Sequence, residues 1–296
     1  MTPVDYRMEA FRGTVGISGP VCVRGGGTRW GVGGGAAGAR EVSAPLGILA
    51  LEPAEMTVKV GAGTLLADLA DALADHGQEV GIDGPPGSTV GGALAVGRGP
   101  LRRRRVGAVA DVLLQADCVG ADGATFTAGG PTVKNVTGYD LCRLLVGSLG
   151  TLALLGVVIL RTRPLPAHVV WMGGEVEPDR VLSETYRPAC VLWDGARTSV
   201  LLEGHAEDLE RTAGRLARLG MAGMDPPDLP VGRGRWTGHL PSGGVLEVGT
   251  GVVHQPLEGA PPTVDDGVRA LGARMKASFD PTGRLNPGRD PYGAVA

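Results

Sequence analysis

Apolar and polar positions change rhythm along the chain, and each change predicts an element. Residues 3–15 suit a short helix, and 20–23 a strand that runs into Arg24-Gly25-Gly26-Gly27-Thr28. A glycine-rich loop then extends to Gly38. Residues 56–60 alternate apolar and polar, the period-two mark of a half-buried strand. After Gly61-Ala62-Gly63, Thr64 stands where an N-cap belongs. Leu65, Leu66, Leu69 and Leu73 follow at helical spacing, and Gly77 suits the C′ position. Residues 81–110 have little regular pattern and read as loop. Residues 112–119 and 124–128 form two strands around Asp122-Gly123, a hairpin turn pair. A helix over 139–146 turns Leu141, Leu144 and Leu145 inward, and a buried strand follows at 157–160.

The composition changes after Arg163-Pro164. Strand-like runs at 169–172, 190–193 and 199–202 precede a helix over 205–219. Residues 222–244 are rich in Pro and Gly and read as loop, before a strand at 245–248 and a helix over 264–278. The expected division is a first domain over 1–164, a smaller α+β domain over 165–270, and a tail over 271–296 that returns to the first. No 20–50-residue period repeats, which excludes a solenoid.

Composition sharpens this picture in one respect. Glycine supplies 51 of 296 residues, well above the roughly 7% of an average protein. The glycines have no three-residue period, and 43% hydrophobic content is too high for disorder, so neither collagen nor an unfolded chain fits. Many positive-φ turns, or close backbone approach to a ligand, remain. The charge balance of 28 basic against 31 acidic residues gives no sign of a nucleic-acid binder. Cys22, Cys118, Cys142 and Cys190 are scattered without a C-x-x-C pair. That pattern fits a reducing cytoplasm and predicts no metal site. No signal peptide is visible at the N-terminus. The uncharged stretch 144–160 is interrupted by glycines and is shorter than the ~18 residues of a membrane span. It reads as a helix end, a glycine turn and a buried strand.

Three glycine clusters compete as candidate chemistry. Gly61-Ala62-Gly63-Thr64-Leu65-Leu66 follows a strand and opens a helix, as a Rossmann loop does. Leu66 is too bulky for the third glycine position, and only Glu79 or Asp83 stands near the place of the expected acid, so an ordinary βα turn explains it better. No Walker A pattern occurs. Three consecutive glycines at 25–27 can turn successive amides inward as an anion nest beside Arg24; a flexible turn is the plainer alternative. Pro85-Pro86-Gly87-Ser88-Thr89-Val90-Gly91-Gly92 joins stiff prolines to glycines and hydroxyls, which suits a rigid loop around a phosphate-bearing ligand. Two such loops in one domain point to a pyrophosphate cofactor.

These residues carry a resemblance. Val23-Arg-Gly-Gly-Gly-Thr28 is similar to the first pyrophosphate loop of the vanillyl-alcohol-oxidase-type (PCMH-type) FAD-binding fold. The segment from Pro85 to Gly107, with Thr89-Val-Gly-Gly-Ala-Leu-Ala95, resembles that fold's second flavin segment. Thr132 to Thr151 resembles a signature of the glycolate oxidase and D-lactate dehydrogenase branch. Phe279-Asp-Pro-Thr-Gly-Arg-Leu-Asn-Pro-Gly-Arg289 resembles the branch's C-terminal tail, which returns to the flavin. Gly147-Ser-Leu-Gly-Thr-Leu-Ala153 departs from the Gly-Ser-Glu-Gly of the catalytic D-type subunits, and no His-x-Gly-Asp-Gly motif is present. The departures point to the FAD-binding E-subunit branch.

The resemblance implies an α+β chain: a two-lobed PCMH-type FAD-binding domain, with the lobe boundary near residue 50, and a ferredoxin-like α+β cap over the isoalloxazine. It implies FAD contacts from Arg24, Gly25, Gly26, Gly27 and Thr28. Further contacts are expected from Pro86, Gly87, Ser88, Thr89, Val90, Gly91, Gly92, Gly97 and Gly99, and from Gly147, Gly150, Val157 and Asn286. Relatives that tether FAD covalently place His where Thr28 stands, so the expected FAD is non-covalent. The implied function is a CH–OH oxidoreductase subunit. It passes electrons from a small 2-hydroxy acid such as glycolate through FAD to an iron–sulfur partner, in a complex with a D-type flavoprotein, in the cytoplasm or attached peripherally to the inner membrane face through its complex. The alternative is a non-catalytic flavin-binding or assembly subunit.

No catalytic residue is assigned. The five histidines, His76, His168, His205, His239 and His254, are isolated in the sequence, with His254 the strongest exception. Arg102–Arg105 reach the pyrophosphate, dock a partner or lie solvated. Lys134 and Asn135 are placed near the flavin, with turn or capping roles for Asn135 and Thr137 as the alternative. Trp193 and Trp236 read as core or interface residues.

Overall fold

A computed structural model describes residues 6–36, 38–130, 140–257, 259–261 and 263–293. They divide into two compact units. The first gathers 6–99, 108–164 and 263–293, and the second joins 100–107 to the described part of 165–262. The helix Asp266–Phe279 thus belongs with the first unit from residue 263 onward, and the arginine segment 102–105 with the second.

In the first unit, β1 (Val21–Val23) pairs in parallel with β2 (Arg40–Val42). A five-stranded antiparallel sheet holds β3 (Ile48–Glu52), β4 (Thr57–Gly61), β6 (Leu113–Val119), β7 (Thr125–Gly129) and β8 (Leu154–Arg161), in the order β3-β4-β8-β6-β7. A small ladder joins β5 (Gln78–Glu79) to β9 (Arg163–Pro164). Alternation sets the inner face of β4, where Val58 and Val60 are buried against Leu69 and Leu73 of the helix Leu66–Ala74. The β6–β7 hairpin turns at Asp122-Gly123, with Gly123 at φ +76° and Asp122 Oδ1 accepting from the Ala124 amide at 2.9 Å. The uncharged stretch resolves into the helix Leu141–Leu145, a glycine turn and β8; among the described residues no helix is long and apolar enough to cross a membrane.

Three expectations change. Thr64 is no cap: Leu65 holds that position, and Thr64 Oγ1 instead accepts from the Gly47 amide at 2.8 Å. Residues 81–110 contain a real helix, Val90–Val96, which starts where Thr89 Oγ1 accepts the Gly92 amide at 3.2 Å. Its glycines are there for packing: a Cβ on Gly91 would meet Ala62, whose carbonyl takes the Gly91 amide at 2.7 Å. Gly61-Ala62-Gly63 is therefore a packing surface, crowded on its other side by the carbonyls of Ala44 and Pro45. The predicted helix over 139–146 is seen from Leu141 to Leu145; residue 139 lies outside the described residues.

The second unit is one antiparallel sheet. Its strands are β10 (His168–Gly174), β11 (Cys190–Trp193), β12 (Thr198–Gly204), β13 (Ala222–Gly223), β14 (Gly232–Arg235), β15 (Val245–Glu247) and β16 (Val252–Gln255). The order is β13-β10-β12-β11-β15-β16-β14. From β10 to β13, with helices Pro178–Glu184 and Ala206–Arg218, the path is β-α-β-β-α-β, the ferredoxin-like arrangement. Both helices pack on one face, where Val181, Leu209 and Leu216 join Met172, Val191 and Val200. The expected loop over 222–244 contains β13 and β14. Gly232-Arg-Gly-Arg235 has no apolar period of its own and is a strand because β16 pairs with it.

Candidate functional site

The first loop leaves the sheet just after Arg24, whose amide donates to Val42 at 2.9 Å. Beyond it the chain has no room for side chains. A Cβ on Gly25 would overlap Thr89 Oγ1, and one on Gly26 would overlap the Gly87 carbonyl. Gly27, at φ +69°, turns the chain so that its carbonyl accepts from Trp30 at 3.2 Å. The amides of Gly25, Gly26, Gly27 and Thr28 donate to no acceptor among the described residues. Successive free amides around a positive-φ glycine form a concave donor surface suited to an anion.

The second loop forms the facing wall. Pro85 accepts from the Ser88 amide at 3.0 Å, and Gly87 has φ +83°. Ser88 Oγ lies 2.9 Å from Thr28 Oγ1, a hydroxyl pair that ties the two loops. Leu66 donates to the Ser88 carbonyl and Val90 to that of Thr64, each at 2.9 Å, fixing the loop to the packed helix turn.

A third wall comes from the 147–150 turn and the C-terminal tail. Asn286, only 4% exposed and at φ +45°, donates through Nδ2 to the Gly150 carbonyl at 2.9 Å. Its amide donates to Val21, also at 2.9 Å. Arg284 anchors the tail through its guanidinium to the carbonyls of Val15, Gly16, Ser18, Gly19 and Ala121, at 2.9–3.2 Å. Asp280 accepts from the amides of Arg284 and Leu285 and lies 2.5 Å from Lys276 Nζ. Burial pushes the Asp280 carboxyl up, but the Lys276 hydrogen bond and these two amides outweigh it and hold the pKa below its usual value.

Together the walls form an open cleft of about 80 Å³ lined in part by Gly25, Gly26, Gly27, Thr28, Ser88, Thr89, Gly92 and Asn286. An adjoining hollow of about 60 Å³ adds Gly91 and Gly150. These ten are sequence-predicted contact residues that the fold gathers. Pro86, Gly87, Gly97 and Gly99 line neither space; a Cβ on Gly97 would meet Gly147. Gly147 borders a separate cavity of about 420 Å³ along the helix Asp266–Phe279. Val90 and Val157 are fully buried in the core. Arg24 turns to Glu41 at 3.0 Å and lies over the Trp30 ring at 4.9 Å. Lys134, Asn135 and Thr137 lie outside the described residues.

Sequence reasoning missed Arg29, Trp30, Leu149 and Arg289 on the cleft wall, with the small apolar Val23, Ala93, Ala95 and Val96. Arg289 ends the tail motif already singled out, which was the available signal. Its Nη1 donates to the Val32 carbonyl at 2.9 Å, while Nη2 is buried without a hydrogen-bond partner. Burial lowers its pKa, yet a guanidinium starts so high that it stays charged.

In the second unit several polar groups pair with one another. Arg102 Nη2 bonds Glu203 Oε2 at 3.1 Å and Arg104 Nη1 donates to Val248 at 3.3 Å, so these two arginines are held within this unit. Glu247, 3% exposed, bonds His254 Nε2 at 2.7 Å, Arg233 Nη2 at 3.2 Å and Thr250 Oγ1 at 3.1 Å. The pairing of β14, β15 and β16 makes this cluster, since Arg233 faces His254 directly in the ladder. All four cysteines are free and buried. Burial raises the thiols, that of Cys142 to about 11, which keeps them from nucleophilic chemistry.

A donor-lined cleft between two glycine loops defines a domain for a phosphate-bearing cofactor. Comparison with known proteins points to which one: residues 18–129 match the family described as FAD binding domain. A D-lactate dehydrogenase of Archaeoglobus fulgidus is 37% identical over 152 residues, 49% of this chain and 33% of that protein. The glycolate oxidase subunit GlcE of Escherichia coli is 33% identical over 141 residues, 47% of this chain and 40% of that protein. The matched stretches thus span well under half of these relatives. An alkyldihydroxyacetonephosphate synthase shares the fold with TM-score 0.68 at 14% identity, over 96% of this chain and 74% of its own. The residues present fit FAD on the structure's own terms. They offer unpartnered amides, an orphaned guanidinium nitrogen, and two loops packed so closely that any Cβ at Gly25 or Gly26 would collide with Thr89 or Gly87.

Proposed function

We propose that this chain is the FAD-holding oxidoreductase subunit of a 2-hydroxy acid dehydrogenase of the glycolate oxidase kind. The observation that carries the reading is the convergence of the 25–28 and 88–92 segments, with four free amides, on one cleft. Support for the substrate class comes from relatives named as glycolate oxidase subunits and D-lactate dehydrogenases. Bound flavin supplies a hydride acceptor for the carbon that bears the substrate hydroxyl. The chain's own residues do the rest: the amides of residues 25–28 hold the diphosphate, the Thr28–Ser88 hydroxyl pair fixes the loops, and Asn286 closes the cleft from the tail. We further propose that FAD is non-covalent, with Thr28 in the position of the tethering histidine. In this reading an iron–sulfur protein receives the electrons, in a cytoplasmic complex that includes a D-type flavoprotein.

A second reading is favoured by one observation. Among the described residues, the cleft wall offers amides, hydroxyls and guanidiniums, but no imidazole or carboxylate to take a substrate proton. On this reading the chain holds flavin and a partner completes the reaction. Anaerobic mixing with glycolate separates the two. Bleaching of flavin absorbance by the isolated chain supports its own catalysis; bleaching only after the D-type partner is added supports the subunit role. A purified chain with no flavin absorbance that takes up no added FAD refutes both. A denatured-protein mass that still includes flavin refutes non-covalent binding.

A further inference from the structure

The cleft contains one feature that its glycine loops do not explain. Trp30 lies under two guanidiniums, with Arg289 at 4.3 Å and Arg24 at 4.9 Å from its ring centroid. Gathering two like charges on one indole is costly unless each has other company. Arg24 has it in Glu41, at 3.0 Å. Arg289 has only the Val32 carbonyl, and its Nη2 is buried without a partner. A buried, charged donor without an acceptor is costly, and here it belongs to a side chain that also lines the cleft beside the free amides.

The backbone makes the position deliberate. The tail runs against the 31–35 loop with no side chains between them: Asp290 donates to the Gly33 carbonyl at 2.7 Å, and a Cβ on Gly33 or Gly288 would strike the opposite backbone. Arg289 closes a turn by donating its amide to Asn286 at 3.2 Å. The guanidinium plane is then pinned by Trp30 and Val32 and borders the same cleft as the free amides of 25–28. No carboxylate lines that cleft among the described residues. A rigid, planar, permanently charged donor beside an amide nest suits a phosphate oxygen.

We propose that Arg289 is a diphosphate-binding residue, pre-positioned by stacking on Trp30, and that Arg24, paired with Glu41, serves only to support that ring. The ligand class is a nucleotide diphosphate ester. The inference rests on the flavin reading above and deepens it: beside Arg29 of the first loop, the tail supplies a stacked cation, while the amides of residues 25–28 supply neutral donors.

The test is affinity rather than turnover. Binding of FAD, ADP and riboflavin to full-length apoprotein is followed by calorimetry or fluorescence, with glycolate as a further ligand. Arg289→Gln should weaken both FAD and ADP by about 10- to 100-fold, the range of one charge-assisted hydrogen bond, and leave riboflavin, which lacks phosphate, unchanged. Arg289→Lys should recover part of the loss. Trp30→Leu, which keeps the charge and removes its support, should weaken FAD by a few-fold. FAD binding by Arg289→Gln equal to wild type overturns the proposal alone. So does equal loss of riboflavin and FAD, which marks a merely structural residue, or loss of glycolate binding with FAD intact, which assigns Arg289 to a carboxylate. A wild-type chain that binds no FAD overturns the flavin reading and this proposal with it.

Discussion

The two units arrange their polar groups differently. In the second, Glu247 gathers Arg233, His254 and Thr250 around one carboxylate, and Arg102 meets Glu203. In the first, four consecutive amides on the cleft wall and one buried guanidinium nitrogen have no acceptor among the described residues. A cluster gathered on one carboxylate specifies packing, because opposite charges meet on folding. An unsatisfied one is held open at a cost by the backbone around it and is completed only by a ligand. The contrast separates a cluster that stabilises from one that binds, although both are polar and both are built from distant residues.

That contrast can be broken by substitution. The largest effect is expected at Glu247. Glu247→Ala removes the acceptor shared by Arg233 and His254, and should cost about 3–5 kcal/mol in a urea melt while leaving FAD content per folded chain unchanged. A loss of FAD from the folded variant would show that the second unit's cluster serves the cofactor after all. Gly26→Ala is the mirror case. Its Cβ would overlap the Gly87 carbonyl, so FAD affinity should fall by about 100-fold or more, near 3 kcal/mol, as measured by titration of apoprotein. Unchanged affinity would mean that the two loops do not need to approach so closely.

Asp280 sharpens the comparison, because it is a satisfied charge inside the binding unit. Asp280→Asn should cost about 2–3 kcal/mol, since it weakens a charge-assisted pair and two amide contacts. The sign with pH follows from its lowered pKa in the folded state. The stabilisation is complete above the unfolded carboxyl value of about 3.9 and is lost as pH falls through the lower folded value. The variant's acid limb of stability should therefore be flatter than wild type below about pH 4. A smaller effect is expected at Thr89→Ala, about 1 kcal/mol for a lost N-cap, with weaker FAD binding if the 88–92 wall shifts with it. Least of all, the native thiols should resist iodoacetamide at pH 7 and react on unfolding, which mass spectrometry reads directly; rapid labelling of Cys142 in the folded chain would contradict its raised pKa.

Much of the fold was legible in the chain where a short-range rule governs it. Asp122-Gly123 makes its hairpin because glycine takes φ +76° and the aspartate caps the turn. The helix Ala206–Arg218 follows its own apolar stripe, with Leu209 and Leu216 buried. Elements that break those rules were hidden. Gly91 and Gly92 disguise the helix Val90–Val96, since small residues weaken helical propensity but allow Ala62 to approach. The Gly-Arg repeat of β14 carries no alternation, and only its partner strand makes it a strand.

The site divides along the same line. Residues 25–28 and 88–92 announce themselves, because consecutive glycines open conformations closed to other residues and the prolines at 85 and 86 fix φ beside them. Val90 and Val157 stand within segments that resemble cofactor loops, yet the fold buries both in the core. Trp30 and Arg289 show the reverse. Nothing local marks Trp30 as a cleft residue and only the tail motif points to Arg289; a tail more than 250 residues away in sequence brings them together, as the Arg289–Val32 bond with a separation of 257 records.

The sequence by itself determined where the chain turns, which stretches bury their faces, and that two glycine loops could cradle an anion. Those properties depend on φ, on residue size and on apolar period, all set within a few residues. Only the tertiary structure decided which polar groups would find partners. Hydrogen bonding is settled by what arrives from elsewhere in the chain: Glu247 receives three partners, and the amides of residues 25–28 and Arg289 Nη2 are left for a ligand.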